Sequence, residues 1–193
     1  MKRWHVFLGA VILLLAAAAT AFFASATKKT LPTLDTLGGD FSLPSTLGRS
    51  VSLSEFQGKP VLLNFGFTSC PDVCPTVLAK MRRVLYLLGE KGSAVQPLFI
   101  TVDPERDSLD TLNTYLSYFH PALIGLRGDT QQLAKVTGLY SVFSQKQSNE
   151  LGETYGFIHN DHIYLIDQYG KVRQMYSGKI APAVIAEDIK TLL

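Results

Sequence analysis

The sequence predicts an α/β fold, a central mixed sheet flanked by helices, behind an N-terminal transmembrane or signal segment. Three observations predict it. Val61-Leu62-Leu63-Asn64-Phe65-Gly66-Phe67 and Leu98-Phe99-Ile100-Thr101-Val102 are nearly continuous apolar runs of strand length, as buried central strands require. Segments with helical spacing alternate with them. The chain then closes with two strand-like runs around a turn and a last helix.

Each element has its own signal. Phe41-Ser42-Leu43 and Val51-Ser52-Leu53 flank a turn at Gly48 and predict a small hairpin. After the first buried strand comes a cysteine loop, then Val77, Leu78, Met81, Val84, Leu85 and Leu88 on one helical stripe. The second buried strand is followed by Asp107 or Ser108, either able to cap a helix carrying Leu109, Leu112, Tyr115 and Leu116. Leu123 to Leu126 reads as a short strand and Leu133 to Val136 as a short helix. The polar stretch from Ser144 to Gly156 reads as a loop. Ile163-Tyr164-Leu165-Ile166 and Val172-Arg173-Gln174-Met175 pair around Gln168-Tyr169-Gly170, and a helix covers about Pro182 to Leu192. Together these make an α/β sandwich of the thioredoxin type.

The chain has 193 residues, 47% hydrophobic and 18% charged, a composition that supports one packed domain and excludes general disorder. Its net charge is +2 and no basic run is longer than a pair such as Lys28-Lys29, which argues against nucleic acid as a partner. Lys2 and Arg3 precede an uncharged apolar run from Val6 to about Ala26, long enough to span a bilayer. Ala24-Ser25-Ala26 also fits a signal-peptidase site, so both an uncleaved anchor and a cleaved signal stand at this point. No Cys follows the run to carry a lipoprotein anchor. Either way the sequence places the domain on the periplasmic or extracytoplasmic side of a cytoplasmic membrane. The expected organisation is an anchor or signal over 1–27, a tether over 28–37, and the domain over 38–193.

Only two cysteines occur, in Gly66-Phe67-Thr68-Ser69-Cys70-Pro71-Asp72-Val73-Cys74-Pro75. A pair so close together closes too short a loop to be a useful structural clamp, which points to metal or redox chemistry. Pro75 is tolerated in the first turn of a helix, so Cys74 stands at a helix start. Cysteines at i and i+4 there can converge on one atom, and the amides at that end favour thiolate. Outside the cytoplasm such thiols form a disulfide unless reduced or ligated, so Cys70 and Cys74 are also a candidate redox-active disulfide.

From Phe41 to the C-terminus the chain resembles the Sco (SenC) family of copper proteins, which serve assembly of the copper centre of cytochrome c oxidase. The cysteine segment carries the resemblance. Gln57-Gly58-Lys59-Pro60 and Asp103-Pro104-Glu105-Arg106-Asp107 support it. The resemblance implies copper, as Cu(I) or Cu(II), held by both cysteines and by a distant histidine just before a Tyr-Leu-Ile strand. It implies a metallochaperone rather than an enzyme, with the copper-bearing oxidase subunit and other copper or thiol carriers as partners. The same thiols are also able to reduce a recipient's cysteines.

Of four histidines, His5 lies in the targeting segment and His120 at a predicted helix end. His159 and His162 remain. The family's ligand stands five positions before the Tyr, here Tyr164, which selects His159. Read as one strand, 159 and 162 face opposite sides, so only one of them can face the cysteines. Two thiolates and an imidazole suit Cu(I) better than zinc, which takes a fourth ligand. The charged run 103–107 reads as a turn with Asp107 capping the next helix, or with Arg106 offsetting a dithiolate site. The rival reading is an extracytoplasmic thiol-disulfide oxidoreductase. Against it stand the spacing CxxxC and the lack of any proline between Pro121 and Pro182 to clamp a substrate.

Overall fold

The expected hairpin around Gly48 is present as β1 (Ser42–Pro44) and β2 (Ser50–Ser52), paired antiparallel, with Gly48 at φ +74° in the turn. The structure is a computed structural model that describes residues 30–148 and 155–193, without the side chains of Ser148 and His159. The segment read as anchor or signal lies outside the described residues. Among those described, no helix is long and apolar enough to cross a membrane.

The two buried runs are β3 (Val61–Gly66) and β4 (Gln96–Thr101), joined by helix α1 (Val73–Leu88). Next come α2 (Leu109–Ser117), β5 (Ile124–Leu126) and α3 (Thr130–Leu139), then β6 (Ser144–Ser148) and β7 (Tyr155–His159). The chain finishes with β8 (Ile163–Ile166), β9 (Val172–Tyr176) and α4 (Pro182–Lys190). The central sheet has the order β5-β4-β3-β8-β9; β3, β4 and β5 are parallel, while β8 and β9 are antiparallel to their neighbours. It is therefore a mixed sheet flanked by helices.

Alternation along the strands builds two cores. On one face, Leu63 and Phe65 of β3, Ile100 of β4 and Tyr164 of β8 pack with α3 and the first hairpin. On the other, Leu62, Phe99, Ile163 and Leu165 meet the buried stripes of α1, α2 and α4. Each such side chain contributes about 1.5–3 kcal/mol by leaving water. Phe65, Tyr140 and Tyr164 meet edge-on or tilted with centroids 5.5–5.9 Å apart, and the Tyr164 hydroxyl donates to the Tyr140 carbonyl at 2.9 Å. This cluster fixes β8 beside β3, the strand that leads into the cysteine loop.

Two expectations are corrected. The stretch from Ser144 to Gly156 is not simply a loop, because β6 and β7 form an antiparallel ladder from Ser144↔His159 to Ser148↔Tyr155. Backbone pairing, which needs no apolar side chain, organises this polar segment. Nor does Asp107 cap α2. Ser108 is the N-cap and accepts the Thr111 amide at 3.0 Å, while Asp107 is buried elsewhere.

Candidate metal centre

β3 runs out at Gly66, and the next residues turn into α1. Phe67 stays buried, the Cys70 amide donates to the Phe67 carbonyl at 3.3 Å, and α1 begins at Val73. Cys74 thus falls in the first helical turn, as its Pro75 neighbour demands. The two expected thiol residues come together. The Cys74 amide donates to Cys70 Sγ at 3.4 Å, with no disulfide joining the two.

Their environments differ. Cys70 is half-buried, whereas Cys74 is 1% exposed, under β3. A Cβ on Gly66 would stand 2.8 Å from Cys74 Sγ and 2.9 Å from a ring carbon of Phe99. Glycine at 66 is what leaves room for that sulfur. Burial pushes the Cys74 thiol well above its ordinary range, and a backbone hydrogen bond to Phe67 opposes this only in part. The hydrogen bond and charge of Cys70 push the same way as burial, as does the charge of Asp107. The expected lowering by the helix start is therefore corrected for Cys74: desolvation outweighs it.

The loop is held from the far side by Asp107. Its carboxylate, 0% exposed, accepts from the Thr68 amide at 3.0 Å, the Thr68 hydroxyl at 2.5 Å and the Thr101 hydroxyl at 2.5 Å. Thr101 ends β4, so one carboxylate ties the cysteine loop to the neighbouring strand. Sequence reasoning missed this role. The only available signal was a Thr at the strand end and another in the loop, both short donors within reach of an acid after β4.

Arg106, expected to offset a dithiolate site, is engaged by other groups. It pairs with Asp103, and its guanidinium carbon lies 3.9 Å over the Tyr155 ring and 5.7 Å over that of Phe67. Phe67 also meets Phe157 of β7 at 5.5 Å between centroids. The hairpin β6–β7 is thereby seated next to the cysteine loop.

Of the histidines, His120 lies past α2, where its Nδ1 accepts the Ala122 amide at 3.2 Å; burial lowers its pKa. His162 belongs to the link between β7 and β8. Its carbonyl accepts from Asn64 Nδ2 at 2.9 Å and its ring meets Tyr164 edge-on at 6.3 Å. His159 is the last residue of β7, opposite Ser144, and its side chain lies outside the description. The two histidines do not share a strand, so the opposite-face reasoning lapses. Among the described residues no group of three His, Cys, Asp or Glu side chains is placed to hold a metal ion.

Fold and site define a class: an α/β domain that presents a CxxxC thiol pair where a central strand turns into a helix. The comparisons narrow it. The SCO1/SenC family model matches residues 29–193. An SCO2-like protein of Rickettsia felis is 39% identical over 155 residues, covering 80% of this chain and 76% of that protein. Copper-bound ScoI of Bradyrhizobium japonicum superposes with a TM-score of 0.75 at 40% identity, over 81% of this chain and 99% of that one. Yeast Sco1 with copper bound gives 0.71 at 35% identity, over 82% and 91%. The chain belongs to the SCO1/SenC family.

Proposed function

We propose that this chain binds copper through Cys70, Cys74 and His159 and delivers it to the copper centre of a cytochrome c oxidase. The observation that carries the reading is the thiol pair in one turn, with the Cys74 amide on Cys70 Sγ at 3.4 Å. Two soft sulfurs that close suit Cu(I), and copper-bound relatives share the surrounding fold. Burial of Cys74 fits as well. A site that disfavours a bare thiolate is relieved when a cation takes the place of the proton. His159 is the last residue of β7, and Phe157 of the same strand meets Phe67 of the cysteine loop, which supports a ligand supplied from this end of β7.

The same thiols serve a preparatory step. Cys70 and Cys74 give two electrons and two protons to a recipient disulfide and are left joined as a disulfide themselves, while the recipient gains the two thiols that accept copper. In this reading the N-terminal apolar run anchors the domain on the extracytoplasmic side of a membrane, beside its recipient.

The test is copper titration of the full chain against Cys70→Ser and Cys74→Ser. One tightly held copper per chain, absent from both variants while they stay folded, supports the reading. Stoichiometric tight copper in either variant overturns it.

A further inference from the structure

The charged segment after β4 grips two different things. Through Asp107 it holds Thr68 of the cysteine loop. Through Arg106 it holds the β6–β7 hairpin. Arg106 Nε donates to Asp103, which is 1% exposed, and Nη1 donates to the Tyr155 carbonyl at 2.9 Å. The Tyr155 hydroxyl is 3.1 Å from both Asp103 Oδ1 and Glu105 Oε2. On the other strand, Lys146 pairs with Glu105 at 2.6 Å and lies 3.8 Å over the Tyr155 ring.

These contacts differ in weight. Lys146 and Glu105 are both exposed, and an exposed pair of that kind holds little. The Asp103 carboxylate is buried and its guanidinium partner is planar, stacked and bonded to a main-chain carbonyl, so this part is rigid. A plain charged turn would not need to send its arginine across to the first residue of β7.

We infer that Arg106, oriented by Asp103, is a positioning residue that latches the β6–β7 hairpin onto the cysteine loop and so sets how far position 159 stands from Cys70 and Cys74. This rests on the copper reading above, with His159 as a ligand. Such a latch acts on the three-ligand state alone. Loosening it leaves a dithiolate able to hold Cu(I), but removes the imidazole that Cu(II) favours.

The test uses the full chain and two variants. Asp103→Asn with Arg106→Gln neutralises both partners, so no buried charge is left without a counter-ion. Arg106→Lys keeps the charge beside Asp103 but lacks the fork that also reaches the Tyr155 carbonyl. Metal-free hydrogen exchange is expected to speed up about tenfold or more in the β6–β7 ladder of both, with β3 and β8 unchanged. Cu(II) affinity is expected to fall about 10–100-fold, as when an outer partner of a metal ligand is lost. Nitrogen hyperfine structure in the Cu(II) spectrum should weaken, with Cu(I) affinity retained. Wild-type exchange and wild-type Cu(II) binding in both variants would overturn the latch, as would faster exchange spread evenly over the sheet. If the wild-type chain holds no copper, the functional reading fails, and the exchange data alone then decide whether the latch exists.

Discussion

Replacing Asp107 with Ala removes the acceptor shared by the Thr68 amide, the Thr68 hydroxyl and the Thr101 hydroxyl. Hydrogen bonds to a charged group contribute about 1.5–3 kcal/mol each. These three share one carboxylate and do not add fully, which gives about 3–5 kcal/mol for the substitution. At about 2–4 °C per kcal/mol for a domain of this size, the melting temperature should fall by roughly 6–20 °C. Asp107→Asn keeps an oxygen for the Thr68 amide and the Thr101 hydroxyl, and its NH2 can donate to the Thr68 hydroxyl once that rotates. It should cost only about 1 kcal/mol. Thermal unfolding followed by circular dichroism on the metal-free chain separates the two. A cycle with Thr68→Ala should return a coupling of about 1–3 kcal/mol. If Asp107→Ala melts within about 2 °C of the wild type, or if the cycle shows no coupling, the carboxylate does not hold the cysteine loop.

Three further outcomes are expected. Gly66→Ala should destabilise the fold by about 1–3 kcal/mol in denaturant titration and weaken copper binding, because its Cβ meets Cys74 Sγ and Phe99 at under 3 Å. Burial pushes the Tyr164 hydroxyl up to about 12 from its ordinary 10.0. The unfolded chain therefore releases that proton first, and the stability it confers is complete below about pH 10 and lost as pH rises toward about 12. Chemical unfolding across this range checks the sign, with Tyr164→Phe expected to flatten the alkaline decline. Finally, His159→Ala should retain Cu(I) but bind Cu(II) poorly, and His162→Ala should change little. Parallel titrations of both variants with the two oxidation states decide the assignment.

The parts legible in the sequence were those where burial writes a pattern. Val61 to Gly66 is apolar at nearly every position because β3 is covered on both faces, and the α1 stripe from Val77 to Leu88 is spaced as one helical side. The thiol pair was legible for a different reason, since Pro75 fixes where a helix can start. The β6–β7 hairpin was not legible. Ser144-Gln145-Lys146-Gln147-Ser148 has no apolar alternation, and what pairs it is main chain. Asp107 was misread because a local rule competed with a distant one. An acid just before a helix resembles a cap, but Ser108 takes that role and frees the carboxylate for Thr68, 39 positions away. The histidine-face reasoning failed because it assumed one strand, whereas β7 stops at His159 and β8 starts at Ile163. The high thiol pKa of Cys74 was hidden too, since helix position is visible in sequence and the depth of a sulfur beneath Gly66 is not.

X-ray absorption at the copper edge of the loaded full chain bears most directly on the copper reading. The thiol pair and the placement of β7 predict two sulfur scatterers and one imidazole nitrogen around copper. The imidazole signature should vanish in His159→Ala and persist in His162→Ala. A shell of nitrogen and oxygen without sulfur, or one unchanged in Cys74→Ser, would contradict the proposed centre.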